Sequence, residues 1–322
     1  MPSHAWFATV GPVALSAFLT AGCVGLPGAT NAADAPPALE TLETPQVLFL
    51  VRNEVFSIRF DGTARRSLGK VGDDRHRTAW PRFLTDGRVA VLANDTGAIF
   101  PYVGTLKGND FVQLPMMNVS VNDSLCGITV EGQPRILFSA SPTRPLLPTY
   151  NRLYRTSTDE TRIVTVAVTS NGALTDPSAY DDGRVLVVRS ANRMTEAELG
   201  TVTVEIVSVS GKDDPIVLAT MPRNFFAANP VKLDDGRVVF IRRVLDGYSE
   251  RDLGEMFVIE RDGTIHTTDL VGVVGLVAAG NSIVYETGGA TGVTDLVVTD
   301  LLHPPKNVTN SPYVAEHLTW SD

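Results

Sequence analysis

Apolar residues along this chain gather in short runs, each preceded by a turn, and the runs recur. They begin at Val47, Val89, Ile136, Val185, Val238 and Ile283, between 42 and 53 residues apart. Short apolar runs bounded by Gly, Pro, Asn and Asp are the pattern of strands buried on both faces. Beyond residue 46 no segment keeps apolar residues at spacings of three and four for more than two turns, so a mostly helical body is excluded.

Three of the runs are introduced by one string, Pro-x-x-x-x-Asp-Gly-Arg-Val, at Pro81 to Val89, Pro177 to Val185 and Pro230 to Val238. Weaker copies lead from Cys126 through Glu131-Gly132 into Ile136-Leu137-Phe138, and from Val274 through Ala279-Gly280 into Ile283-Val284-Tyr285. A sixth is divided between the chain ends. Leu318-Thr319-Trp320-Ser321-Asp322 stops where its turn glycine is due, and Val47-Leu48-Phe49-Leu50-Val51 supplies the strand that follows.

Within each unit a second strand-like segment comes next: Glu54 to Phe60, Ala98 to Val103, Arg162 to Val168, Thr201 to Val207, Glu255 to Ile259 and Thr294 to Val298. Asp61-Gly62-Thr63, Asn171-Gly172, Ser210-Gly211 and Asp262-Gly263-Thr264 supply the positive-φ positions of tight turns. Short outer strands follow, as at Pro215 to Ala219 and Thr264 to Thr267. Four strands in a unit of roughly 47 residues fit a propeller blade. The prediction is an all-β, six-bladed β-propeller of four-stranded blades over residues 47–322. Its ring closes by pairing of the C-terminal strand, Leu318 to Trp320, with the N-terminal strand, Val47 to Val51, which removes exposed edges. A seven-bladed ring is the alternative, and it needs a degenerate blade inside a long connection such as Ser141 to Thr161.

The stretch Trp80-Pro81-Arg82-Phe83-Leu84-Thr85-Asp86-Gly87-Arg88 and the closing Leu318 to Asp322 resemble the repeat of TolB-type β-propellers, in repeated form from Val47 to Asp322. The resemblance implies a fold and not an activity, since the family's Trp-Ser-Pro-Asp-Gly signature is degraded in most units. In TolB a separate domain precedes the propeller. Only the short segment Val24 to Gln46 stands in that place here, so a role in envelope integrity is not carried over.

Residues 1–22 contain no Asp, Glu, Lys or Arg, and Ala5 to Ala21 are almost wholly apolar or small. A membrane-spanning helix needs about 20 apolar residues, and Gly11-Pro12 interrupts this run, so it reads as a cleaved export signal. The ending Leu19-Thr20-Ala21-Gly22-Cys23 resembles the lipobox of bacterial lipoproteins, which implies that Cys23 is acylated and becomes the new N-terminus. Thr20 stands where that box carries an aliphatic residue and no basic residue precedes the apolar run, so plain secretion is the alternative. Residues 23–46, rich in Ala, Pro, Thr and Gly, read as a lipidated cysteine and flexible tether. Each buried acyl methylene contributes about 0.8 kcal/mol, so a multiply acylated cysteine is a sufficient membrane anchor by itself. The expected location is a bacterial envelope, periplasmic or at the cell surface. Cys126 is the one other cysteine, which leaves the body without an internal disulfide.

The formal net charge of -9 excludes a nucleic-acid backbone as partner. Only five of the 27 basic residues are lysine, and the arginines cluster in long connections: Ser141 to Thr161, Arg189 to Gly200 and Arg242 to Gly254. Connections of that length in a compact domain are more often functional than structural. In a propeller they share one face. The candidate binding residues are therefore Arg52, Arg144, Arg189, Arg193, Arg242, Arg243 and Glu286, with Arg152, Arg155 and Arg251 nearby. A basic mouth of this kind holds a carboxylate, a phosphate or an acidic polysaccharide through paired hydrogen bonds. The plainer reading is that these arginines pair with Glu196, Glu198, Asp246, Glu250 and Asp252 in the same connections and leave a neutral rim.

Asp86, Asp182 and Asp235, on the opposite face, read as turn formers whose carboxylates bond nearby backbone, not as a ring of metal ligands. His76, His266, His303 and His317 have no metal-pair spacing, and neither a Gly-x-Ser-x-Gly elbow nor a Gly-rich phosphate loop is present. No catalytic residue, metal or cofactor is assigned. The six inner-strand starts, Pro81, Cys126, Pro177, Pro230, Val274 and His317, form an apolar row, with Cys126 a small buried residue. The expectation is a monomeric, non-catalytic binding or scaffold propeller that presents its loop face to an envelope protein or polysaccharide. A propeller lyase or lactonase acting on an acidic sugar is the alternative.

Overall fold

Every regular element among the described residues is a β-strand. The computed structural model describes Ala8–Thr9 and residues 46–51, 53–72, 77–95, 98–114, 119–142, 152–156, 164–167, 172–190, 201–211, 213–222, 225–244, 254–288 and 294–308.

The first sheet holds Ala8–Thr9 (β1), Gln46–Val51 (β2), Glu54–Arg59 (β3) and Arg66–Lys70 (β4). The second holds Arg77–Phe83 (β5), Val89–Asp95 (β6), Ala98–Gly104 (β7) and Val112–Gln113 (β8). The third holds Val119–Val130 (β9), Gln133–Pro142 (β10), Arg152–Thr156 (β11) and Val164–Ala167 (β12), and the fourth Ala173–Asp181 (β13), Arg184–Ser190 (β14), Val202–Ser208 (β15) and Ile216–Thr220 (β16). The last is a seven-stranded sheet of Phe225–Lys232 (β17), Val238–Val244 (β18), Gly254–Ile259 (β19), Ile265–Ala279 (β20), Ser282–Gly288 (β21), Thr294–Thr299 (β22) and Lys306–Asn307 (β23). All pairings are antiparallel and follow chain order. In the last sheet β20 is shared. Its N-terminal part pairs with β19 and its C-terminal part with β21, with Gly272 at φ 79° beside the changeover at Val273.

Each apolar run is the second strand of its unit. That strand has hydrogen-bonded neighbours on both sides and other sheets against both faces, which is why it is continuously apolar instead of alternating. Six clusters carry the core, each drawing on two sheets or on two units of the last sheet. Leu92 and Leu125 share one, Leu137 and Val187 the next, and Leu186 and Phe240 another. Ile241 packs with Ile283, and Leu48 with Val91. The remaining cluster joins the chain's two ends, setting Val47, Phe49 and Ile58 against Val277, Val284 and Val308. Lys306 Nζ also donates to the Asp61 carbonyl at 3.3 Å.

No strand pairing among the described residues joins the first sheet to the last. The predicted closing strand, Leu318 to Trp320, lies outside the described residues. Ala8–Thr9 stands beside the first run instead, with Ala8 opposite Leu48 and Thr9 opposite Val47.

The third unit departs from expectation. The strand beside β10 is Arg152–Thr156, and Val164–Ala167, taken from sequence as that strand, is the outermost one. Arg-Leu-Tyr-Arg-Thr has only two apolar residues and does not stand out as a run, yet Leu153 and Tyr154 are both buried, and the Tyr154 ring stacks on Phe138 at 5.9 Å. The connection Ser141 to Thr161 thus gives a strand to the third sheet.

The repeated proline has a structural reason. Pro81, Pro177 and Pro230 each lie on the first strand of a unit, within a register shift between Ala79 and Arg82, Thr175 and Ser178, and Ala228 and Val231. Three steps on one strand face two on its partner, a β-bulge, where a missing N–H breaks no ladder bond.

Candidate functional site

Of the residues chosen from sequence, Cys23, Arg52, Arg144 and Arg193 lie outside the described residues. Arg189, Arg242, Arg243 and Glu286 are described, and none forms an open cationic surface. Arg189 Nε donates to Glu205 Oε2 at 2.8 Å, and Thr203 Oγ1 donates to Glu205 Oε1 at 2.7 Å, so both carboxylate oxygens of this 3% exposed residue are engaged. Arg242 Nη2 donates to Glu255 Oε2, directly opposite in the ladder, at 2.7 Å. Its guanidinium also lies over two rings, 4.4 Å from Phe225 and 4.2 Å from Phe257. Stacking of this sort suits a planar delocalised cation, although it leaves the buried Nε without an acceptor among the described residues.

The two pairs are related but differ in register: Glu255 stands directly opposite Arg242, whereas Thr203 stands opposite Arg189 and Glu205 is reached diagonally. Each arginine is the fifth residue of its apolar run, and each glutamate stands on the strand at the far side of the following connection. Among the described residues both arginines pair with strand glutamates; Glu196, Glu198, Asp246, Glu250 and Asp252 lie outside the described residues. Arg243 reaches from β18 to donate to the Val274 carbonyl on β20, and Glu286 is fully buried on β21 opposite Gly275.

A second group converges from the first strands of consecutive units. The Asp176 N–H donates to Ser124 Oγ at 3.1 Å, and Asn229 Nδ2 donates to Asp176 Oδ1 at 3.3 Å, so the third, fourth and fifth units are linked side chain to neighbour. Arg82, from the second unit, interacts electrostatically with both Asp176 and Cys126. Burial pushes the Arg82 guanidinium down to about 10, still protonated at neutral pH, and pushes the Cys126 thiol up to about 12 despite Arg82 nearby. Cys126 is thus an inert buried thiol, as expected.

Asp176 and Asn229 both have positive φ, 49° and 47°, immediately before Pro177 and Pro230. Asp and Asn tolerate that region better than other non-glycine residues. The row of inner-strand starts reads as apolar because the polar groups lie one residue away from it, at Arg82, Asp176 and Asn229. An Asx residue just before a proline in a bulged strand is the signal that locates Asp176 and Asn229.

On the opposite face the Asp-Gly-Arg turns behave as turn formers. Asp86 accepts from the Arg88 backbone N–H at 3.1 Å and from Arg88 Nε at 2.7 Å. Asp235 accepts likewise from Arg237, at 3.0 and 2.9 Å. The third copy differs: Arg184 Nε donates to Asp181 at 2.9 Å, leaving Asp182 at the hairpin tip.

Four-stranded antiparallel meanders whose first strands meet side by side define a β-propeller type of protein, and the likenesses agree. The chain is similar to a TolB-assigned protein of Agrobacterium tumefaciens, at 12% identity over 69% of this chain and 76% of that one, with a TM-score of 0.50. It is similar to the oligogalacturonate lyase of Vibrio parahaemolyticus, at 9% identity over 81% and 73%, with a TM-score of 0.51. Hydrazine synthase of Kuenenia stuttgartiensis gives 13% identity over 82% of this chain and 42% of that one, with a TM-score of 0.62. At such identities the likenesses carry a TolB-like propeller fold and nothing of activity. No protein-family profile and no curated protein sequence matches the chain.

Proposed function

We propose that this chain is a non-catalytic binding propeller of a bacterial envelope, exported by residues 1–22, anchored through acylated Cys23 and held off the membrane by the tether 23–46. Its body is a six-bladed ring closed by the C-terminal strand, and it docks a protein or polysaccharide on the face that carries Arg242. The supporting observation is the Phe225, Arg242 and Phe257 stack with Glu255. Its charge is already balanced, so it offers a rigid aromatic and guanidinium surface of the kind that dominates protein interfaces, not a free cation for an acidic sugar.

A second reading follows from the convergence of Arg82, Ser124, Asp176 and Asn229: an inner-strand site that binds or cleaves an acidic sugar, as the name of the similar lyase suggests for that protein. One comparison separates the two. The full chain and its Arg242→Ala and Arg82→Ala variants are cross-linked in isolated envelopes and, separately, incubated with oligogalacturonate while ultraviolet absorbance of an unsaturated product is followed. Loss of the cross-linked adduct in Arg242→Ala alone, with no product, is the expected result. Product formation abolished by Arg82→Ala would replace the binding reading with the second one.

A further inference from the structure

The chain enters its first sheet at a basic corner. Gln46, the first residue of β2, faces Arg59, the last residue of β3, so both stand at the turn end of that sheet. The hairpin leading to β4 adds Arg65 and Arg66, and Lys306 reaches it from the last sheet through the Asp61 carbonyl. All four cations are exposed, and among the described residues none of them forms an ion pair. Rings hold the Arg65 guanidinium instead, 4.7 Å from Phe56 and 5.4 Å from Phe49, which orients a cation without neutralising it. Two carboxylates share the corner, and each is taken up by its own turn. Asp61 accepts from the Thr63 N–H and hydroxyl at 2.8 and 2.6 Å, and Asp300 from the N–H groups of Leu302 and His303 at 2.9 and 2.8 Å. In a chain of net charge -9 this corner therefore keeps an excess of positive charge.

A second observation is apolar. Leu302 stands between β22 and β23, in the connection that leads into Lys306, and at 79% it is the most exposed large hydrophobic among the described residues. The hydrogen bonds to Asp300 fix the turn that presents it. An exposed leucine beside cations that lack ion pairs suits a bilayer surface, the cations on anionic headgroups and the apolar tip below them. Farther round the same end, the fourth and fifth units expose Asp182, Asp234 and Asp262, so an anionic surface is met by the corner and not by the whole turn end.

We propose that the corner formed by Arg59, Arg65, Arg66, Lys306 and Leu302 docks on a bilayer surface rich in anionic headgroups, and so turns the opposite, Arg242-bearing end outward. The inference rests on the proposed acylation of Cys23 and deepens it, because the proposed tether ends at Gln46, in the corner itself. The tether sets how far the body can leave the surface, and the corner sets which end faces it.

The test uses the full chain carrying Cys23→Ala, which acylation cannot hold on a membrane, sedimented with vesicles of phosphatidylcholine alone or mixed equally with phosphatidylglycerol. Tighter binding to the mixed vesicles is expected, weakening as salt is raised. Arg65→Gln with Arg66→Gln lowers that partition about fivefold for each charge removed, and Leu302→Ser lowers it about tenfold. Arg135→Gln with Arg261→Gln, at the turn ends of other units, leaves it unchanged. None of these side chains belongs to the core, and an unchanged Tm confirms the fold of each variant. Equal partition into both kinds of vesicle, or the same loss in the control pair, would overturn the docking corner. Binding to soluble polygalacturonate that Arg65→Gln with Arg66→Gln abolishes, without preference for the mixed vesicles, would replace the bilayer with a polyanion. The mass of the exported protein reports acylation separately, so failure of that reading is distinguished from failure of the corner.

Discussion

Charges at the two ends of the sheets are held in opposite ways. At the turn end two of the three repeated aspartates bond an arginine two residues along the chain, Asp86 with Arg88 and Asp235 with Arg237. At the loop end the partners are 13 and 16 residues apart, Arg242 with Glu255 and Arg189 with Glu205, and meet only because two strands lie side by side. The turn end fixes its own geometry and is partly exposed. The loop end depends on the ladder, and in Glu205 it buries a carboxylate outright. A local pair supports a turn; a cross-strand pair ties the base of a long connection to the core.

The largest expected effect follows from that burial. Glu205→Ala leaves Arg189 facing Thr203 with no counter-charge, at a cost of about 2–3 kcal/mol, set below a fully buried pair because solvent reaches the arginine. The Arg189 side chain is 22% exposed. Urea denaturation at constant m reads this as a lowered midpoint. Joint replacement by Arg189→Met and Glu205→Leu restores most of the loss, because no charge is then left buried. A Glu205→Ala midpoint within error of the parent would mean that the cross-strand pair ties nothing down.

This contrast also separates what could be read from the chain from what could not. The turns, the six runs and the second-strand positions are local patterns, and their residues carry the reason: Gly62, Gly211 and Gly263 take φ of 86°, 65° and 84° at the expected tips. Arg152–Thr156 escaped because its burial comes from Phe138 and its sheet neighbours, not from its own composition. Glu205 and Glu255 escaped as partners of Arg189 and Arg242 because it is strand register, not proximity in sequence, that brings them together. Asp176 and Asn229 meet across two units, at positions 53 residues apart that no local window joins.

A smaller effect is expected at the turn end, and it depends on pH. The hydrogen bond from the Arg237 side chain, opposed next by burial and aided by the Arg237 backbone N–H, holds the Asp235 carboxyl below its usual 3.8. A depressed folded pKa means that stability is fully present above the unfolded value and is lost as pH falls through the folded one. Asp61 and Asp262, bonded by Thr63 and Thr264, and Asp300, bonded by His303, are lowered as well and add to the same acid limb. Asp235→Asn therefore costs about 1 kcal/mol or less at neutral pH after allowance for solvent screening. The gap to the parent narrows as pH drops below 3.8. Urea midpoints at neutral pH and in acid check it; a gap that stays constant would remove the ion pair as its cause.

The smallest effect is the sharpest test of whether the repeat or the geometry governs. Sequence makes Asp182 the counterpart of Asp86 and Asp235, because all three open an Asp-Gly-Arg string. In the structure the third turn is tighter: Asp181 pairs directly with Arg184 in the ladder, and the arginine bonds Asp181. Tyr180 lies under the same guanidinium at 5.2 Å, which adds to the hold on it from the Asp181 side. The Arg184 and Asp181 side chains are 44% and 34% exposed, so the pair is a surface one, of the order of 0.5 kcal/mol. Asp181→Ala is expected to lower stability by about that amount, and Asp182→Ala by less, since Asp182 is exposed at the tip. The ranking is measured by paired urea titrations of the two variants. If Asp182→Ala proves the costlier, the motif's first residue outweighs strand register even where the turn has changed, and the distinction between local and cross-strand pairing fails at its weakest member.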